Sequence, residues 1–364
     1  MFELRLAIPW RPEETRIAVG AGLLDNAGEL IRRCVQPHRT LLLTDRRVAE
    51  LHGPRVQASL AGAGLPASQH TVEVGETAKS LAAAAEIYAR LGEDEVGRDG
   101  LVLALGGGVV SDLGGFVAGT WMRGVAFAIC PTTLEADVDA AIGGKTAVNV
   151  PGAKNLVGVF HQPKLVLIDP LCLTTLPERD VRAGLAESVK HALLEGEDFL
   201  AWHEHHVEAI LAVEMDILTE LIQRNVRLKA DMVTRDPYEL AGTRMLLNLG
   251  HTVGHAIEEA CAFERRHGEC VALGLVATCR LSQQRGLLDS AVTQRVTELL
   301  ARLGLPTRLA APLPTATVLD IVRRDKKSRA GSVRFVLLRG LGQPVVCADV
   351  TESEVAAAYE SLRS

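Results

Sequence analysis

The chain has 364 residues, of which 48% are hydrophobic and 23% charged, and this composition predicts a globular protein with a large core, long enough for two domains. A net charge of −6 and an aromatic content of 4% argue against a nucleic-acid or membrane partner. Seven cysteines without a CxxC pair, charged residues near the start and no uncharged run of membrane-spanning length predict a reduced, cytoplasmic protein.

The first half of the chain alternates strand-like and helix-like segments. Helices are predicted at 23–33, 48–64 and 79–93. Short apolar runs predict strands at "RTLLLTD", "SQHTVEV", "GLVLALGGG", "GVAFAICPTTL" and "KLVLIDP". Uninterrupted apolar strands that alternate with helices are typical of a parallel sheet covered on both faces.

Helical periodicity dominates from about residue 178, and strand signals return only in "SVRFVLLRG" and "QPVVCADV". The sequence therefore predicts an α/β domain over residues 1–177, with a parallel-type sheet, and a mainly α-helical domain over residues 178–364.

A glycine turn follows one predicted strand, in "LALGGGVVSDLGG". Gly107 and Gly108 would let a backbone approach a phosphate at the end of that strand, although the pattern is not GxGxxG and a plain tight turn explains it equally well. Asp45 ends another strand, where acids often bind ribose hydroxyls.

The stretch "DAAIGGKTAVNVPGAKN" places Asp139, Lys145, Lys154 and Asn155 in a glycine-punctuated region. We interpret this region as a flexible loop that packs inward and binds a small anionic substrate. A solvated loop is the alternative.

A group of histidines suggests a metal site in the helical half. His251 and His255 lie four residues apart, on one helix face, and His267 follows. Two histidines and a carboxylate are a standard zinc ligand set. A carboxylate from elsewhere in the chain could complete such a set. Glu187 and Lys190 lie three residues apart on one helix face, and a surface ion pair is the simpler interpretation of that spacing.

Other histidines compete as metal ligands, namely His191, His203, His205 and His206. We interpret the "WHEHH" run at 202–206 as a solvated helix face. The basic run "RRDKKSRAG" at 323–331 is either an exposed turn or a clamp for phosphate or carboxylate.

Taken in order, these motifs resemble the 3-dehydroquinate synthase family of sugar phosphate cyclases. The resemblance rests on "GGGVVSDLGGFVAGTWMRG", "VDAAIGGKTAVN", "GLAESVKHALL", "LLNLGHTVGHAIE", "HGECVALG" and "RDKK", and it runs from about residue 40 to residue 340. It implies a homodimer with an NAD-binding α/β domain, a helical metal-binding domain and an active site in the cleft between them. The resemblance also implies a small sugar phosphate as the binding partner.

The resemblance also assigns residues. It implies Zn²⁺ (or Co²⁺) bound by Glu187, His251 and His267, with His255 as a proton carrier. The remaining catalytic and substrate-binding residues would be Asp139, Lys145, Lys190, Arg244, Asn248, Arg123, Lys154, Asn155, Lys229 and Lys326. The NAD site would comprise Asp45, Glu76, Lys79, Gly107, Gly108, Val109, Asp112, Thr132, Thr133, Asp139, Lys145, Lys154 and Thr175.

The reaction implied is the cyclisation of 3-deoxy-D-arabino-heptulosonate 7-phosphate (DAHP) to 3-dehydroquinate and phosphate in the shikimate pathway. It combines transient oxidation by NAD, phosphate elimination, reduction and an aldol closure. Ser111, Glu135, Asp137 and the "NVPGAKN" segment depart from the family's usual motifs. They leave an aminodehydroquinate synthase or another cyclase as alternatives, and an NAD- and zinc-dependent polyol dehydrogenase as a more distant one.

Overall fold

The computed structural model describes residues 13–151, 153–311, 313–328 and 333–363. Its strands are β1 Arg16–Val19, β2 Thr40–Asp45, β3 Ala67–Val72, β4 Leu101–Gly106, β5 Ala126–Pro131, β6 Lys145–Val150, β7 Ala153–Phe160, β8 Leu165–Ile168, β9 Phe335–Leu338 and β10 Pro344–Cys347. Its α-helices are α1 Ala27–Cys34, α2 Arg46–Leu51, α3 Gly53–Gly62, α4 Leu81–Glu93, α5 Gly108–Thr120, α6 Glu178–Glu195, α7 Glu197–Leu211, α8 Met215–Arg235, α9 His251–Ala260, α10 His267–Gln284, α11 Ser290–Arg302, α12 Thr315–Ser328 and α13 Glu352–Glu360.

Six strands of the first half form one parallel sheet in the order β1-β8-β5-β4-β2-β3. Neighbouring residues of β2 belong to different hydrophobic clusters: Leu41 and Leu43 pack on one face of the sheet and Leu42 on the other. Because side chains alternate along a strand, this explains why the central strands are apolar without interruption.

Parallel pairing brings the carboxyl ends of the strands to one edge. Gly106 at the end of β4 is in register with Pro131 at the end of β5, and Asp45 ends the adjacent β2. Ligands in open α/β sheets bind at this edge, so the fold places the predicted cofactor residues there.

The second half is built almost entirely from helices around α6 and α10, whose central residues are buried. Only β9 and β10 add a sheet, an antiparallel pair among the described residues. The predicted fold class is therefore confirmed. The boundary between residues 177 and 178 stays a prediction, although α6 begins at Glu178.

Two local predictions were wrong. The helix predicted at 48–64 is divided into α2 and α3 at His52, where Pro54 opens the second helix. The region interpreted as a flexible loop instead contains a π-helical turn, Ala136–Ala140, and the antiparallel pair β6–β7. Among the described residues, we find no helix that combines the length and the apolar character needed to cross a membrane.

Candidate active site

The turn between β4 and α5 offers a site for an anionic cofactor group. Gly107 precedes α5 without any side-chain cap, so the first backbone N–H groups of the helix point to the sheet edge. A Cβ on Gly107 would lie 2.9 Å from a methyl carbon of Thr133, and one on Gly106 would lie 2.7 Å from a Val110 methyl carbon. Glycine is needed at both positions because a Cβ would lie too close to these side chains.

Thr132 supports the same conclusion. Its hydroxyl is buried at the end of β5 and has no hydrogen-bond partner within the described part of the chain. A buried, unsatisfied hydroxyl at a sheet edge is a donor available to a ligand. Gly108 and Val109 open α5 beside it, and Ala140 lies 3.5 Å from the position of a Cβ on Gly108.

A second part of the predicted cofactor set forms a polar cluster around the buried Lys79 side chain. Its Nζ donates to Asp112 at 2.9 Å and to the Asn155 side-chain oxygen at 2.6 Å, and it lies 3.4 Å from Glu76. Lys154 lies 3.7 Å from the same Glu76 carboxylate. Burial lowers the pKa of Lys79, but the Asp112 and Glu76 carboxylates outweigh it and the net shift is upward.

Asp45 and Thr175 lie at the same sheet edge but have local partners. The Asp45 carboxylate caps α2 by accepting from the Val48 N–H at 3.0 Å. The Thr175 hydroxyl lies 3.1 Å from His52 Nε2. Each retains capacity for a further hydrogen bond.

The three predicted metal ligands converge on one point from three helices. His251 opens α9, His267 opens α10 and Glu187 lies within α6. The Glu187 Oε1 atom lies 3.3 Å from His251 Nε2 and 3.2 Å from His267 Nε2.

The other ring nitrogens determine which atoms are free to bind a metal. His251 Nδ1 lies 3.1 Å from the Leu249 carbonyl oxygen, and His267 Nδ1 lies 3.0 Å from a Glu258 carboxylate oxygen. Both partners are acceptors, so each Nδ1 donates to its partner and each Nε2 is the nitrogen that faces Glu187. Two imidazole Nε2 atoms and a carboxylate oxygen are a ligand set that fits a divalent cation, and the contact between His267 Nδ1 and the Glu258 carboxylate is typical of metal sites.

His255 is close enough to compete for the same ion. Ligand atoms of His251, His255 and His267 lie within 4.8 Å of one another. The His255 residue is the most solvent-exposed of the three. Desolvation of its ring lowers its pKa, and the two neighbouring imidazoles lower it further. The assignment of His255 as proton carrier rather than ligand stays a prediction.

Charged groups around Asp139 lie next to these ligands. Lys229 Nζ is 2.8 Å from Asp139 Oδ2, and Lys190 Nζ is 3.3 Å from Oδ1 and 2.5 Å from Glu187 Oε2. Burial raises the pKa of Asp139, but Lys190 and Lys229 outweigh it and hold the value well below its ordinary range. Burial also lowers the pKa of Lys229 to about 8, although Asp139 opposes the shift.

The remaining predicted cations line the approach to this cluster. Lys145 pairs with Glu239 at 2.5 Å, and Lys154 pairs with Glu258 at 3.0 Å. Arg244 is buried and donates to the Pro237 carbonyl oxygen at 2.9 Å. Burial lowers its pKa, although nearby Glu239 opposes the shift. Asn248 ends the short 3₁₀ helix that begins at Arg244.

Two predicted residues are not part of this cluster as described. Arg123 is exposed at the far end of α5, a helix about 20 Å long, while Gly108 at the near end faces the site. The side chain of Lys326 lies outside the described residues. Their roles stay predictions.

The departures from the family motifs lie close to the site. Asp137 is fully buried, and burial raises its pKa well above the ordinary value. Glu135 is half-buried, and burial raises its pKa while His267 opposes the shift. The Ser111 hydroxyl is buried beside the glycine turn, without a hydrogen-bond partner in the part described.

Sequence reasoning missed two contributors. Glu258 lies two helical turns after His251 on α9, and this spacing was the available signal for its role beside His267. His203, in the run interpreted as a solvated face, is fully buried, so that interpretation was wrong for this residue.

Comparison with known proteins agrees with the geometry. Residues 69–183 match the family model of the 3-dehydroquinate synthase N-terminal domain, and residues 184–328 match that of the C-terminal domain. A relative from Symbiobacterium thermophilum, named 3-dehydroquinate synthase, is 43% identical over 96% of this chain and 98% of its own length.

Two solved structures share the fold. The 2-epi-5-epi-valiolone synthase ValA of Streptomyces hygroscopicus subsp. jinggangensis 5008, with NAD⁺ and Zn²⁺ bound, is 29% identical at a TM-score of 0.90, covering 98% of each chain. A 2-deoxy-scyllo-inosose synthase complexed with carbaglucose-6-phosphate, NAD⁺ and Co²⁺ has a TM-score of 0.85, covers 95% of this chain and 96% of its own, and is 23% identical, so it supports the fold alone.

Proposed function

The chain belongs to the 3-dehydroquinate synthase family, and from this premise we propose which side chains carry out the reaction. The protein is a carbon–oxygen lyase that converts DAHP to 3-dehydroquinate and phosphate. The observation that supports the site most directly is the convergence of Glu187 Oε1 with two imidazole Nε2 atoms beside the Asp139 cluster.

The cofactors are NAD and Zn²⁺ (or Co²⁺). NAD would occupy the sheet edge at Gly107, Thr132 and the Lys79 cluster, and the metal would be held by Glu187, His251 and His267. When bound, the two groups supply reversible hydride acceptance and polarisation of the substrate alcohol.

The side chains of this protein bind and orient a substrate with anions at two positions. Lys145, Lys154 and Arg244 approach the cleft from both halves and suit phosphate and carboxylate groups. Asp139, held by Lys190 and Lys229, lies between the cofactor edge and the metal ligands. His255, exposed beside both imidazoles, would carry protons during ring opening and closure.

The proposal also covers the oligomeric state of the protein, its location in the cell and its domain boundary. We propose a homodimer in the cytoplasm, with the division into domains at residues 177 and 178. Light scattering of the purified protein tests the dimer, and a monomeric mass at working concentration would refute it.

The function is tested by supplying DAHP and measuring phosphate and NADH together. We expect stoichiometric phosphate release without net accumulation of NADH, because the cofactor is oxidised again within each cycle. Net NADH from a polyol would instead indicate a dehydrogenase. Phosphate release from the amino analogue of DAHP or from sedoheptulose 7-phosphate, but not from DAHP, would indicate another cyclase.

A further inference from the structure

The segment between α9 and α10 places an aromatic ring against a cation of the cleft. The Nζ atom of Lys154 lies over the face of the Phe263 ring, 3.8 Å from its centroid. The Phe263 side chain is 43% exposed and belongs to neither hydrophobic cluster of the described residues. Packing into the core therefore does not explain why a large apolar side chain stands at this position.

Backbone hydrogen bonds at the end of α9 fix the place of this ring. The Phe263 N–H donates to the Glu258 carbonyl oxygen at 3.1 Å, and the Ala262 N–H donates to the Glu259 carbonyl oxygen at 3.0 Å. These two bonds form a turn that commonly ends a helix and usually has glycine at its left-handed position. Here that position is Ala262, with a φ of 49°, and Phe263 follows with a φ of 63°. Two successive non-glycine residues in the left-handed region carry backbone strain, so the surrounding contacts hold this segment in place.

The Glu258 side chain connects this cation with a predicted metal ligand. One oxygen of its carboxylate accepts from Lys154 Nζ at 3.0 Å, and the other lies 3.0 Å from His267 Nδ1. Glu76, from the cofactor cluster, lies 3.7 Å from the same Nζ, which is beyond hydrogen-bond distance. The ammonium group of Lys154, a residue of β7 in the first half, is therefore in contact with α9 and with the turn that ends this helix.

A ring face and a carboxylate hold an ammonium group in different ways. A carboxylate neutralises the charge that it binds, whereas an aromatic face attracts the cation and leaves its charge and its N–H donors available. Among the described residues, Glu258 is the one hydrogen-bond acceptor for the three donors of Lys154. The Phe263 ring can thus hold Lys154 in place while an anion approaches the remaining donors.

We propose that Phe263 is a positioning residue for Lys154, and that it presents the ammonium group of this lysine to an anionic group of the substrate. The inference rests on the substrate-binding role proposed above for Lys154. A lysine side chain has many rotamers, and a ring that holds its end reduces the ordering that binding would otherwise require. Loss of the ring should therefore weaken substrate binding rather than slow the chemical step.

Phe263→Leu and Phe263→Tyr form a matched pair of variants. Leucine keeps an apolar side chain and removes the aromatic face, whereas tyrosine keeps the face. With DAHP and the NAD- and metal-loaded protein, we expect KM to rise about two- to fivefold in Phe263→Leu, as for an exposed cation–π contact, with kcat nearly unchanged. Phe263→Tyr should keep the wild-type KM. A wild-type KM in the leucine variant, or an equal rise in both variants, would overturn the proposal.

A double-mutant cycle separates this role from a structural one. Lys154→Met removes the ammonium group and should raise KM, and Phe263→Leu should change KM no further in that background. If the ring only stabilised the turn between α9 and α10, the leucine substitution would lower the melting temperature and raise KM equally in both backgrounds. That result would overturn the proposal. A wild-type KM in Lys154→Met would overturn it as well, since this lysine would then not bind the substrate.

An NMR measurement tests the contact without activity. Lysines that are reductively methylated with ¹³C-formaldehyde keep their positive charge, and the methyl signal of Lys154 is assigned by its absence in Lys154→Met. The ring face at 3.8 Å should displace this signal upfield, and the displacement should disappear in Phe263→Leu. An undisplaced signal in the wild type would overturn the inference. Wild-type protein that releases no phosphate from DAHP would refute the proposed function itself, whereas active wild type with a wild-type KM in Phe263→Leu would refute only the positioning role.

Discussion

Asp137 offers a direct test of how the π-helical turn tolerates a buried acid. Its carboxyl group has no solvent exposure, and neither oxygen has a hydrogen-bond partner in the described part of the chain. Burial, reinforced by the nearby Asp169 carboxylate, raises the pKa of Asp137 well above its ordinary value. We therefore predict that Asp137→Asn changes the pH dependence of the free energy of unfolding.

The sign follows from proton binding. Below about pH 4 the carboxyl group is protonated in both states and contributes no pH dependence. Above that pH the unfolded chain loses the proton and the native state retains it, so rising pH destabilises the wild type by about 1.4 kcal/mol per unit. The loss continues up to the raised native pKa and then levels off. The asparagine side chain of the variant would not titrate, and its buried amide would add a pH-independent cost of about 1–3 kcal/mol.

The measurement is urea-induced unfolding of wild type and Asp137→Asn at several pH values between about 5 and about 8. We expect the variant to gain stability relative to the wild type as pH rises from the ordinary carboxyl pKa towards the raised native pKa. Glu50→Gln, at an exposed position on α2, is the control and should leave the curves parallel. Parallel curves for Asp137→Asn would show that the native carboxyl group ionises normally, and the reasoning would fail.

Three further outcomes are expected at the cleft. His251→Ala should lose bound metal and His255→Ala should retain it, as measured by metal content after dialysis. Equal loss of metal in both variants would favour a site with three histidine ligands. Because Lys229 has a pKa of about 8, kcat/KM should fall as pH rises through this value, and Lys229→Arg should move the fall to higher pH. Glu258→Gln should weaken metal affinity about 10–100-fold in a chelator titration, through its contact with His267, and unchanged affinity would contradict that role.

The sequence predicted the parallel sheet because each buried strand is marked by a short run of apolar residues in the sequence. Leu101–Gly106 is a fully buried strand without a polar residue, and residues 41–43 form the buried apolar centre of β2. It did not predict the β6–β7 pair, in which residues from Lys145 to Phe160 include lysines, asparagine and glycine. Strand pairing there depends on contact with α5 and on cross-strand partners. The strand propensities of a short stretch of sequence do not reveal such contacts.

The site was predicted unevenly for a related reason. Motif resemblance identified Glu187, His251 and His267, and the structure brings them together. Resemblance did not indicate that Glu258 orients His267 or that His191 faces Asp139, since both contacts join different helices or segments. The interpretation of "WHEHH" as a solvated face was wrong at His203, because helical periodicity alone does not reveal that this imidazole forms a buried hydrogen bond with Ser188.

The ion pairs in the cleft indicate that a bound metal would add positive charge for substrate binding, besides its part in catalysis. Within the described part of the chain, four lysines near the proposed substrate position already contact a carboxylate, in the pairs Lys190–Glu187, Lys229–Asp139, Lys154–Glu258 and Lys145–Glu239. Burial of Lys190 and Lys229 is tolerable because their carboxylate partners compensate the charge, but paired ammonium groups leave little net positive charge for a substrate with two anionic ends. A divalent cation at Glu187 and the two imidazoles would reverse that balance. Removal of the metal should therefore weaken substrate binding as well as slow turnover, since the same ion supplies both charge and polarisation.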